Sequence, residues 1–238
     1  MNAAKAGGPR KRATARKAAV TSRGYHHGDL RSALVAAAAA LLERDGAEAL
    51  SFRAVARAAG VSQAAPYNHF SGRDELLATV AEAGFRALHA SQAAAAEHAP
   101  PGLPRVISLG MDYLAFATAR PQLFRLMFGI GVASWCAYPA VADAKHVTFG
   151  PFRAALVDYL GAATPPATLD AAAHAGWALV HGLSMLRLDG SAAARSKPQD
   201  PKPQDLKPED LQREHAALAL FATCLAGVGA LRRGGKSD

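Results

Sequence analysis

The chain has 238 residues, half of them hydrophobic, with a formal net charge of +8. That is enough apolar material for one large or two small domains with a sizeable core. Its two cysteines, Cys136 and Cys224, stand far apart, which does not suggest a disulfide framework and fits a reducing cytoplasm, with both thiols expected as small buried hydrophobes.

The charge is concentrated at the start. Residues 1–24 hold Lys5, Arg10, Lys11, Arg12, Arg16, Lys17 and Arg23 and no acidic residue. Two readings stand: a solubilising tail or cloning remnant, or an arm that follows a phosphate backbone or enters a minor groove. No secretory signal is expected, because this basic start runs into Gly, Pro and Thr rather than an apolar segment. Residues 28–45 then read as a first helix. Asp29 suits the positive end of its dipole, Leu30, Leu34, Leu41 and Leu42 form one stripe, and Gly46 ends it. Its apolar run, 33–42, is too short to cross about 30 Å of hydrocarbon. His26 and His27 read as the start of this head rather than as a metal site.

Residues 50–70 read LSFRAVARAAGVSQAAPYNHF, two short helices joined by a tight turn. Ser51 can cap the first, and Leu50 and Val55 can staple it. Phe52, Val55 and Ala56 make its apolar face. Gly60 supplies the stop, and Ser62 is a second cap. In the second helix, expected over 63–70, Gln63, Ala64, Tyr67 and Asn68 share one face, and Ala65, Pro66 and Phe70 the other. The first face suits a base edge and a phosphate: amides can pair with adenine, and alanine can meet a thymine methyl. Pro66, in the first turn, removes at most one hydrogen bond.

The run VSQAAPYNHF, preceded by the capped helix and followed by SGRDELL, resembles the DNA-binding head of the TetR family of transcriptional regulators. YHHGDLRSALVAAAAALLERDGAEALSFRAVARAAG, just upstream, resembles the family's first helix and its approach to the motif. The resemblance covers residues 25–88. It implies an all-α fold: a three-helix helix-turn-helix head over 25–72, joined by a long helix to a helical effector-binding and dimerisation domain over 73–238. It also implies DNA contacts from Arg53, Ser62, Gln63, Ala64, Pro66, Tyr67, Asn68, His69 and Arg73. Of these, Gln63, Ala64 and Asn68 would read bases, and Tyr67, His69, Arg53 and Arg73 would hold phosphate; His69 is kept on the resemblance alone. For Arg53 a merely solvated side chain is the alternative.

A fourth helix starts at a Ser71 cap, with Asp74 three residues on, and runs to about Ala99, where Pro100 and Pro101 stop it. At 1.5 Å per residue it is a rod of roughly 40 Å. Two helices broken at Pro121 follow; the first presents Leu103, Ile107, Met111, Leu114 and Phe116, the second Leu123, Phe124, Leu126, Met127 and Phe128. Residues 139–161 read as one helix, bent at Gly150-Pro151. Residues 168–190 form the next, whose segment AGWALVHGLSML resembles the Trp-His-Gly type of regulator C-terminal domain. His174, Trp177 and His181 share a face there. His181 has three readings: a hydrogen-bonded core or interface histidine, a polar anchor in an apolar pocket, or a metal ligand, the last lacking partners at ligand spacing. Three near-copies, KPQDP, KPQDL and KPEDL, start at Lys197, Lys202 and Lys207; an extended or disordered loop is expected over 191–207, with the third copy doubling as the start of the next helix. The final helix runs from Pro208 to about Leu231, apolar over so wide an arc that it must be covered on more than one side.

From these features a DNA-binding regulator is expected, a repressor in the cytoplasm that binds a palindromic operator as a homodimer. Leu179, Leu183, Leu218, Phe221 and Leu225 are the candidate dimer contacts. A small apolar or amphipathic effector is expected among Met111, Phe116, Phe124, Met127, Trp135, Phe152, Trp177 and His181, though the same aromatics could simply fill the core. No cofactor, metal, membrane partner or enzymatic activity is expected. There is no nucleophile with a base at usable spacing and no phosphate-cradling glycine loop.

Overall fold

The computed structural model describes residues 27–129, 137–194 and 208–234. The basic arm, Trp135, Cys136 and the first two proline-rich copies lie outside them; the third copy opens the last helix, and residues 191–194, expected in the loop, continue the helix before it. Among the described residues the fold is all-helical. The helices are α1 (His27–Asp45), α2 (Phe52–Ala58), α3 (Arg73–His98), α4 (Leu103–Ala119), α5 (Pro121–Phe128), α6 (Pro139–Thr148), α7 (Gly150–Leu160), α8 (Pro166–Ala194) and α9 (Pro208–Gly234), with short 3-10 turns at Ala47–Ala49 and Ala65–Asn68. No described helix is long and apolar enough to cross a membrane.

Local chemistry sets the head. The Ser51 hydroxyl accepts the Ala54 N–H at 3.2 Å, so the cap of α2 is the expected one. Gly60 takes φ +69°, a region that a Cβ disfavours, and the Val61 N–H returns to the Ala56 carbonyl at 3.0 Å. Leu34, Leu41 and Leu42 of α1 close over Leu50, Val55, Phe70, Leu76 and Val80. That cluster continues without a break along α3 into the body, where it takes in Phe85, Leu88, Leu114, Phe124 and Met127.

The start of α3 departs from expectation. Its cap residue is Gly72, which supplies no side chain. Instead the Glu75 carboxylate accepts both the Ser71 N–H and the Ser71 hydroxyl, each at 2.7 Å. Glutamate reaches back over the first turn, a distance too long for Asp74. These bonds hold the Glu75 carboxyl below its usual range.

The segment expected as one bent helix is two. α6 ends at Thr148, Phe149 links it to α7, and Pro151 lies in the first turn of α7, where its missing N–H does least harm. Close helix packing rests on glycines: a Cβ at Gly84 of α3 would lie 2.7 Å from the Met127 sulfur of α5, and one at Gly110 of α4 would lie 2.8 Å from a Leu218 methyl of α9.

Candidate functional site

Two regions gather polar side chains that the fold itself does not consume. The first is the outer face of the helix-turn-helix. Residues 65–68 form a 3-10 turn, not the α-helix expected over 63–70. Its bonds run from Ala65 N–H to Ser62 carbonyl at 3.0 Å and from Tyr67 N–H to Ala64 carbonyl at 3.2 Å. Pro66, with no N–H, interrupts the i→i−4 pattern at its centre. No side chain caps the turn, so Ser62 serves through its carbonyl, not its hydroxyl.

Even so, the two faces separate as the sequence predicts. Ser62, Gln63, Ala64, Tyr67 and Asn68 are exposed, Ala65, Pro66 and Phe70 are buried, and His69 is half-buried. Pro66 therefore packs inward and offers no surface to DNA, a correction to its place among the contacts. Tyr67 is 69% exposed, yet the edge-to-face contact with Phe52, centroids 4.8 Å apart, steadies its ring. Arg53 is exposed on α2, and so is Arg57, a second cation on this face that the sequence reading passed over. Arg73 is exposed but tied back to the head: its Nε donates to the Leu50 carbonyl at 3.0 Å and its Nη2 to the Ala47 carbonyl at 2.6 Å. It clamps the first turn of the long helix to the loop before α2.

The second region lies in the body. A cavity of about 30 Å³ is lined by Gln92 of α3, Leu109, Gly110 and Tyr113 of α4, Thr148 and Phe149 at the α6–α7 junction, Phe152, and Trp177 and Val180 of α8. That is room for roughly two waters. Phe149, Phe152 and Trp177 also form a wall of an adjoining open groove of about 550 Å³, which Lys145, His146, Asp170, Ala173 and His174 complete. Below, His181 Nδ1 shares a 3.1 Å hydrogen bond with the Tyr113 hydroxyl. Its ring is stacked between Trp177, at 5.2 Å, and Phe124, at 5.5 Å. Burial and then the Lys145 charge lower the His181 pKa, and burial pushes the Tyr113 phenol up.

Two family descriptions match the chain. One, for bacterial regulatory proteins of the tetR family, covers residues 34–80; the other, for the tetracyclin repressor-like C-terminal domain, covers residues 106–203. The chain belongs to the TetR family of transcriptional regulators. A protein of unknown function from Rhodococcus sp. RHA1 is 33% identical, with 86% of this chain and 100% of that one aligned at a TM-score of 0.67. The fold is also that of SCO7222, a TetR from Streptomyces coelicolor (19% identity, 84% and 98% covered, TM-score 0.61). PfmR, a TetR family regulator from Thermus thermophilus, shares it too (20% identity, 80% and 97% covered, TM-score 0.55). No curated protein matches the chain.

Within this TetR chain the predicted effector residues divide. Phe152 and Trp177 line the cavity, and His181 and Phe124 form the layer beneath. Phe116 and Met127 are buried in the main core and Met111 packs against it; none of the three reaches the cavity. Trp135 lies outside the described residues. The residues missed were Gln92, Tyr113, Thr148 and Lys145. Gln92 carried a signal: it falls one turn after Leu88 on the apolar stripe of α3, a buried amide where the pattern asks for a hydrocarbon. It donates to the Leu109 carbonyl at 2.9 Å and to Asp112 at 2.8 Å. No group of three His, Cys, Asp or Glu able to hold a metal occurs among the described residues.

Of the expected dimer contacts, Leu218 is the one that the fold buries; the other four keep part of their surface. Leu218 is buried in its own subunit, seated on Gly110. Phe221 approaches Gly176 and Leu225 joins the second core cluster around Leu156 and Leu160. Leu179 and Leu183 are half-buried against the main core. Among the described residues the aliphatic side chains most open to solvent are Leu186 of α8, 72% exposed, and Leu220 of α9, 67% exposed, ahead of Val147 and Leu211. Cys224, expected inside, is exposed as well.

Proposed function

We propose that this TetR-family chain is a cytoplasmic repressor that binds a roughly palindromic operator as a homodimer and is released by a small amphipathic ligand. The observation that carries the reading is the exposed, acid-free surface of Gln63, Ala64, Tyr67 and Asn68, with two further exposed cations, Arg53 and Arg57, on the preceding helix α2. Gln63, Ala64 and Asn68 read bases. Tyr67, His69 and Arg53 hold phosphates, with Arg73 giving what its clamp leaves over. Residues 25–72 act as the head and 73–238 as the effector and dimer domain. The Trp177, His181 and Gly182 spacing supports the Trp-His-Gly type for the latter.

One head offers too few base contacts for tight binding, and a twofold dimer places two heads in successive major grooves about 34–36 Å apart. Leu186 and Leu220 support a mate across α8 and α9. So does Gly182, where a Cβ would meet nothing of its own chain and which leaves room for a partner helix. Genome-wide mapping of bound sites tests the reading. Recovered sequences with half-sites one helical turn apart, lost on Gln63→Ala, support it; uniform occupancy without a motif refutes it.

A further inference from the structure

The groove beside the cavity has an electrostatic character that an apolar ligand does not explain. Lys145 is half-buried on its wall, and among the described residues no carboxylate lies within ion-pair distance of it. His146 and His174 stand on the same wall. Its carboxylate, Asp170, is engaged by the Arg153 guanidinium at 3.1 Å. On the cavity side the Trp177 Nε1–H is buried beside the Tyr113 hydroxyl, but with no acceptor among the described residues in hydrogen-bonding geometry. A buried donor left unmatched is destabilising, and Lys145 has no counter-charge within ion-pair distance among the described residues. Both deficits have one remedy, an anion with acceptor oxygens. The rest of the wall, Phe149, Phe152 and Ala173, asks for hydrocarbon.

We propose that the effector is an organic acid with a compact aromatic or cycloaliphatic body. The body lies against Phe149 and Phe152, and the carboxylate reaches past Trp177, balancing Lys145 and accepting from Trp177 Nε1–H. This rests on the reading of the cavity and groove as the effector site.

The test uses the full chain with Trp135→Phe, which leaves Trp177 as the sole tryptophan of the two in the sequence. Aryl- and cyclohexyl-carboxylates are titrated against their own primary amides, with Trp177 emission and calorimetry as readouts. Acids are expected to bind at least tenfold more tightly than the matching amides and to shift the emission. Lys145→Met is expected to remove that advantage while leaving amide binding unchanged, and Trp177→Phe to weaken the acids. Acid and amide binding alike, or acid binding indifferent to Lys145→Met, overturns the proposal. Operator binding is measured beside each titration. Amides that move operator affinity while acids do not leave the effector reading intact and sink the anion; acids that bind as expected and leave operator affinity unmoved keep the site and sink the effector reading.

Discussion

The carboxylate of Glu43, near the end of α1, accepts the Leu123 N–H at 2.7 Å and the Gln122 N–H at 3.2 Å. Those are orphan amides of the first turn of α5. A side chain of the head thus caps a helix of the body. The same helix puts Phe124 against the His181 ring. Head and body are thus joined through α1 and α5 as well as along α3.

Glu43→Gln keeps one acceptor oxygen and loses the charge that favours a helix N-terminus, a loss of about 0.5–1 kcal/mol. Glu43→Ala strands both amides, at about 1–3 kcal/mol. Urea midpoints are expected to fall in that order. Equal midpoints in all three proteins would show that the cap contributes nothing.

Arg53 and Arg73 are expected to separate in the laboratory. Arg53→Ala removes an exposed cation, so folding stays intact, affinity for every DNA sequence drops, and the salt slope flattens by about one unit. Arg73→Ala also removes the bonds to the Leu50 and Ala47 carbonyls, so its melting temperature falls along with its affinity. Gel shifts across a salt series, paired with thermal melts, distinguish the two.

The contact surface for a second copy is expected to follow exposure rather than apolar pattern. Leu186→Glu combined with Leu220→Glu will give a folded monomer in sedimentation. Leu218→Ala will leave the dimer contact surface in place but cost about 2–5 kcal/mol of stability through a cavity facing Gly110. Dissociation by Leu218→Ala at native helicity would reverse the assignment.

His181 predicts an acid sensitivity. Its folded pKa lies below the ordinary 6.5 because burial, and then Lys145, disfavour the charged ring. The unfolded chain therefore takes up that proton first. The contribution of the neutral ring is complete above pH 6.5 and is lost as pH falls toward the folded value. In His181→Gln, stability is expected to decline less steeply over that window, as read from urea midpoints at each pH.

Gly84 has no room for a side chain. Gly84→Val drives methyl groups into Met127 and Leu123, and overpacking of this kind costs about 1–3 kcal/mol. Because the contact joins α3 to α5, operator affinity is expected to change as well.

Much of the head was legible because its signals are local. A serine cap, a left-handed Gly60 and an apolar stripe act within a few residues, and each stands where the pattern put it. The 3-10 form of residues 65–68 was not legible in the same way: one proline in a first turn is compatible with either helix, and packing of Pro66 and Phe70 on α2 decides. The body was less readable for a different reason. α9 is apolar on nearly every side, so periodicity could not say that Leu218 and Phe221 turn inward while Leu220 turns out. The polar cavity lining, Gln92, Tyr113 and Thr148, comes from three separate helices, and nothing in the sequence spacing brings them together.

The cavity's size has one more consequence. At about 30 Å³ it has room for water but not for an organic body, whereas the adjoining groove of about 550 Å³ has room for one as it stands. Phe149, Phe152 and Trp177 are shared by both spaces, so a guest in the groove rests on the same side chains that roof the smaller space behind them.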